Sequence, residues 1–152
     1  MIEYENLQKT NRIFLKKFKN SNKKFCKDGK YILSNNVTKF EKKFSAYIGK
    51  KYCIGVGNGM DALTISLKSL NIPQNSEIII ASNAYIASIL SAINANLKPI
   101  LVEPDIQTYN LDYRCISKNI TKKTRVIMVV HMYGKPNNMK EVLIKEYNNT
   151  KK

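Results

Sequence analysis

Apolar positions along the chain change their spacing several times, and each change marks an element. Over residues 5–19, Leu7, Ile13, Phe14, Leu15 and Phe18 are spaced for a short amphipathic helix. The run Lys19, Asn20, Ser21, Asn22, Lys23 and Lys24 interrupts that pattern and reads as a solvated basic loop. Thr38 and Glu41 have capping-box spacing ahead of a helical face of Phe40, Phe44, Tyr47 and Ile48. Residues 51–56 read as a short strand, 57–59 as a glycine turn, and 60–70 as a helix with Leu63, Leu67 and Leu70 inward. After a turn at 73–76, residues 77–81 form a continuous apolar run, as in a strand covered on both faces. The pattern then predicts a helix over 84–96 with Ile86, Ile89, Leu90 and Ile93 inward, and a strand over 99–102. A loop at 103–105, a helix over 112–119, a strand over 124–130 and a last helix around 137–147 complete the reading.

Strands and helices alternate from residue 31 onward, which predicts an α/β fold with a mostly parallel sheet flanked by helices. Right-handed crossovers gather the strand-to-helix loops at one edge of such a sheet, where α/β proteins bind ligands. Residues 1–30, an N-terminal helix and basic loop, stand apart from 31–152.

The length of 152 residues suits one modest domain, and 43% hydrophobic with 24% charged residues fits a globular protein. No apolar run is long enough to span a bilayer, and the first residues are mixed and acidic rather than signal-like. No membrane partner is expected. Cys26, Cys53 and Cys115 lie far apart, without C-x-x-C spacing, and His131 is the single histidine. Neither a disulfide framework nor a metal site is indicated, and the expected compartment is a reducing cytoplasm. The net charge of +15 raises a second reading, a small basic nucleic-acid-binding module. Only Arg12, Arg114 and Arg125 among the 26 basic residues are arginine, the side chain that base-edge readout favours. Lys, Asn and Ile share A/T-rich codons, so base composition alone accounts for the charge. No nucleic-acid partner is expected.

The sharpest local feature is Gly57, Asn58, Gly59, Met60 and Asp61, where a predicted strand runs through glycines into a helix. Unpaired N–H groups at a helix start, with the helix dipole behind them, suit a phosphate or carboxylate. A tight turn alone also needs glycine. The dinucleotide pattern G-x-G-x-x-G fails because residue 60 is Met and residue 62 is Ala; a P-loop fails because no Lys follows Gly59. Tyr85, just past the strand at 77–81, either lies over a flat ring or is an ordinary packing residue behind an N-cap at Ser82 or Asn83. His131, at the end of the strand at 124–130, either contacts substrate, transfers protons or is structural.

Taken in order, several segments resemble one family: Tyr31 to Ser34, Phe40 to Phe44 with Tyr47, Gly57 to Leu63, Ser82 to Ala87, Val102 to Asp105 with Thr108 to Asn110, and His131 to Gly134. Together they resemble the N-terminal part of the DegT/DnrJ/StrS-type pyridoxal-phosphate (PLP) sugar aminotransferases. The wording is most similar to transaminases making 3-amino-3,6-dideoxyhexoses on dTDP. The resemblance implies the first part of the large domain of the aspartate-aminotransferase type, fold type I. It implies PLP as cofactor, a nucleotide-sugar substrate, glutamate as amino donor and a homodimer when full length. It also implies that Gly59 and Met60 hold the cofactor phosphate, Met60 through backbone only, and that Tyr85 stacks on the ring. The family's ring-nitrogen Asp and Schiff-base Lys fall beyond residue 152, so no catalytic residue is assigned. An incomplete PLP-binding large domain without activity of its own is expected over 31–152. Some members of the family are dehydratases, which is an alternative outcome for the whole protein.

Overall fold

The computed structural model describes residues 5–140 and 142. They fall into two compact units, one within Met1–Gly55 and one within Val56–Lys152.

In the first unit, Asn6 caps α1 (Leu7–Asn11) by accepting the Lys9 N–H at 2.8 Å. A 3-10 turn, Arg12–Phe14, leads into α2 (Leu15–Asp28). The basic loop expected at 19–24 is therefore a correction: those residues are helical throughout. The segment contains no Gly or Pro, and lysine is a good helix former, so nothing stops propagation before Gly29. Gly29, at φ 64°, ends the helix in the left-handed region. Ser34 caps α3 (Asn35–Tyr47). Thr38 lies inside that helix rather than at its start, so the capping box expected at Thr38 and Glu41 is absent. Glu41 instead accepts the Gly55 N–H at 2.8 Å. The strand expected at 51–56 does not form either. A strand exists only by pairing, and no described residue offers this segment a ladder.

In the second unit, α4 (Gly59–Ser69) precedes a three-stranded parallel sheet of β1 (Glu77–Ala81), β2 (Lys98–Val102) and β3 (Thr124–Met128), in the order β2-β1-β3. The central strand obeys the period of two. Ile79 and Ala81 join Val102, Leu111, Ile116 and Val142 on one face, while Ile78 and Ile80 join Leu67, Ala92 and Leu97 on the other. Two helices lie between the strands in sequence: α5 (Ile86–Asn94) connects β1 to β2, and α6 (Tyr113–Asn119) connects β2 to β3.

The inward face expected for α5 is also corrected. Ile89 is partly buried, but Ile86, Leu90 and Ile93 are half-exposed, and Ser88, Ser91 and Ala92 are buried. Small side chains let the helix backbone come close to its neighbours. The Ser91 hydroxyl donates to the Ser88 carbonyl at 2.8 Å, so its burial leaves no unpaired donor. Leu70, expected inward on α4, is likewise exposed, because the helix ends at Ser69. Asn137 is not helical; the last helix is seen at Met139, Lys140 and Val142, and the rest of the expected span lies outside the described residues.

Candidate active site

The turn before α4 is built by its own residues. Asn58 is the N-cap. Its Oδ1 accepts the Asp61 N–H at 2.9 Å, its carbonyl accepts the Ala62 N–H at 3.1 Å, and its Nδ2 donates to Asp61 Oδ2 at 2.9 Å. Asp61 is thus satisfied, and its negative charge complements the helix dipole. Among the described residues, nothing accepts the N–H groups of Gly59 and Met60. The two glycines have different reasons to be there. A Cβ on Gly57 would stand 2.8 Å from Asp61 Oδ2, so a side chain there would displace that carboxylate from Asn58 Nδ2. A Cβ on Gly59 would meet nothing within 4 Å, so the space before this helix start is open.

The loops after the three strands sit together at the carboxyl edge of the sheet, tied by asparagines. The Ser82 N–H donates to the Val102 carbonyl at 2.8 Å, and Asn83 Nδ2 donates to the Tyr109 carbonyl at 3.0 Å. Asn110 Nδ2 donates to the Pro136 carbonyl at 2.9 Å. Asn137 Oδ1 accepts the Leu111 N–H at 2.8 Å, and its Nδ2 donates to the Val130 carbonyl at 2.8 Å. Asn83 is therefore not the α5 cap. Tyr85 occupies that position through its backbone, and its ring is 75% exposed. Within the middle loop, Asp105 Oδ1 accepts the N–H groups of Thr108 at 2.8 Å and Gln107 at 3.0 Å. The Thr108 hydrogen bonds, backbone first, hold the Asp105 carboxyl below its ordinary value of 3.8.

The structure thus leaves free donors at Gly59 and Met60 and an exposed ring at Tyr85, the three residues singled out from the sequence. The asparagine ties escape sequence reading: those of Asn83 and Asn110, and the one from Asn137 to Leu111, each cross 26 residues, with no periodicity or motif to mark them. An open cavity of about 370 Å³ beside Thr108, Asn110, Arg114 and Lys135 includes none of the three. Its cationic side is partly neutralised, Arg114 pairing with Asp112 at 3.0 Å.

Residues 14–148 match the model of the DegT/DnrJ/EryC1/StrS aminotransferase family. The chain belongs to that family. It is 46% identical over 151 residues to dTDP-3-amino-3,6-dideoxy-alpha-D-galactopyranose transaminase of Aneurinibacillus thermoaerophilus, a match covering 97% of this chain and 41% of the relative. The fold is similar to DesV of S. venezuelae, solved in complex with a ketimine intermediate, with a TM-score of 0.87 at 30% identity over 98% of this chain and 40% of that one. It is also similar to NtdA of Bacillus subtilis, solved with bound cofactor PMP, with a TM-score of 0.85 at 27% identity over 99% of this chain and 35% of that one. The α/β unit with its parallel sheet is thus the aminotransferase fold. The chain spans about two fifths of the length of the relative from Aneurinibacillus. Among the described residues, no helix is long and apolar enough to cross a membrane, and no group of His, Cys, Asp and Glu could hold a metal ion.

Proposed function

We propose that this chain forms the cofactor-phosphate and ring-face portion of a PLP-dependent transaminase that aminates a dTDP-linked keto-deoxysugar with glutamate as donor, and that the whole protein is a homodimer. The observation that carries this reading is the unspent pair of donors at Gly59 and Met60, before open space at the start of α4. The residues present fit a phosphate monoester. Asn58 has already met the needs of Asp61 and Ala62, so two N–H groups remain for the ligand. Hydrogen bonds to a charged acceptor contribute about 1.5–3 kcal/mol each. Met60 adds its N–H and no hydroxyl. Tyr85 follows β1 with its ring 75% exposed, and there it would cover one side of a flat ligand. When bound, PLP supplies the electron sink for the amino-transfer chemistry. Family membership and the dTDP-sugar relative support the substrate class.

The test is a PLP titration of the 152-residue chain, followed by absorbance and fluorescence. Weak, reversible binding is expected, lost in Gly59→Asp and weakened in Tyr85→Ala. Binding that both variants leave untouched would refute the assignment. With PLP, glutamate and a dTDP-keto-sugar, these 152 residues alone are expected to release no 2-oxoglutarate above the level given by free PLP.

A further inference from the structure

His131, the only histidine of the chain, follows β3 and opens the 3-10 turn Met132–Gly134. Its Nδ1 faces two N–H groups of one residue, the Asn137 backbone N at 3.2 Å and side-chain Nδ2 at 3.0 Å. The Asn137 amide cannot be turned around. Its Nδ2 donates to the Val130 carbonyl and its Oδ1 accepts the Leu111 N–H, and reversal would set oxygen against oxygen and donor against donor. The backbone N–H can only donate. Nδ1 therefore carries the lone pair, and the proton of the neutral ring sits on Nε2. The residue is exposed, and no described atom accepts from Nε2.

We infer that His131 is a fixed hydrogen-bond donor, through Nε2–H, to an oxygen of the bound PLP, with Asn137 as the positioning residue that selects this tautomer. The inference rests on the PLP reading above. β3 is hydrogen-bonded to β1, so the loop that carries His131 lies at the same sheet edge as the loop that carries Tyr85. A nitrogen that already holds a proton cannot take another, so in this form His131 binds and orients rather than acting as a base. A neutral donor suits an anionic oxygen, and the resulting bond is charge-assisted.

A single histidine makes the test unambiguous. Long-range ¹H–¹⁵N spectra of the ¹⁵N-labelled chain, taken where the ring is neutral, are expected to show Nε2 protonated and Nδ1 bare. A mixture of tautomers overturns the inference. Asn137→Asp, which sets a carboxylate where the Nδ2–H stood while the backbone N–H remains, is expected to add an Nδ1-protonated fraction. Titration then locates the acceptor. A shift of the Nε2 signal with inorganic phosphate marks the phosphate oxygens; a shift with PLP alone marks a ring oxygen. PLP binding that moves neither His131 nitrogen overturns the inference. In affinity, His131→Phe is expected to lose about ten- to a hundredfold, while His131→Gln, which keeps a donor near the same place, stays within about threefold. Rescue by Gln separates a donor from a base, and unchanged affinity in His131→Phe overturns the donor role. Absence of PLP binding by the parent chain overturns the cofactor reading and this inference together, whereas a mixed tautomer in a chain that binds PLP overturns this inference alone.

Discussion

Two parts of the candidate site are held in opposite ways. The turn before α4 is closed by bonds among Asn58, Asp61 and Ala62, all within four residues of one another. The loops after β1, β2 and β3 are closed by Asn83, Asn110 and Asn137, whose ties between loops each span 26 residues. The first part needs little beyond its own segment. The second exists only once three strands have paired in parallel. The cradle should therefore tolerate damage elsewhere in the sheet, while the loop edge should fail as a unit.

The largest effect is expected from Asn137→Ala. The residue is 5% exposed, and truncation strands the Leu111 N–H and the Val130 carbonyl, while the backbone N–H still reaches His131 Nδ1. Stranded buried groups cost about 1–3 kcal/mol each, so a loss of about 2–4 kcal/mol is expected in urea unfolding. A loss below about 1 kcal/mol would show that the loops do not act together. Gly57→Ala comes next. Its Cβ would push Asp61 Oδ2 off Asn58 Nδ2 and leave the cap bond itself in place, at a cost of about 1 kcal/mol. Hydrogen exchange should confine that change to the first turn of α4; spread into β1 would erase the contrast between the two parts.

Asn58→Ala removes an N-cap and is expected to cost about 1 kcal/mol, again local to α4. Asn83→Ala acts on the loop edge. Its Oδ1 is buried without a partner among the described residues, so truncation removes an unsatisfied acceptor along with one useful donor. A net loss below about 1 kcal/mol is expected, well short of Asn137→Ala.

The smallest effect is that of pH on the middle loop. The Asp105 carboxyl is held below 3.8 in the folded chain, so its contribution is present above that value and fades as pH falls through the lower folded value. The amide signals of Gln107 and Thr108, which donate to this carboxylate, are expected to titrate with a midpoint below 3.8. A midpoint at or above 3.8 would show that these bonds do not hold the carboxylate.

What the sequence determined by itself is what depends on near neighbours. The apolar run at 77–81 reads as a strand covered on both faces, and β1 is buried from end to end. The glycine turn into a helix at 57–60 was legible because its caps and free donors belong to the same few residues. The helix over 112–119 has the same local origin. Tertiary structure decided the rest, because each remaining choice depended on a distant partner. Residues 51–56 have a strand's pattern and no described ladder. Glu41 has the spacing of a capping box and binds Gly55 instead. Ile86 and Ile93 of α5 suggest a buried face, yet Ser88, Ser91 and Ala92 take it, since close approach favours small side chains over large ones. The tautomer of His131 lies furthest from the sequence. It is set by the Asn137 backbone N–H together with the side-chain amide, whose orientation is fixed in turn by Val130 and Leu111, and only the folded loop edge brings those groups together.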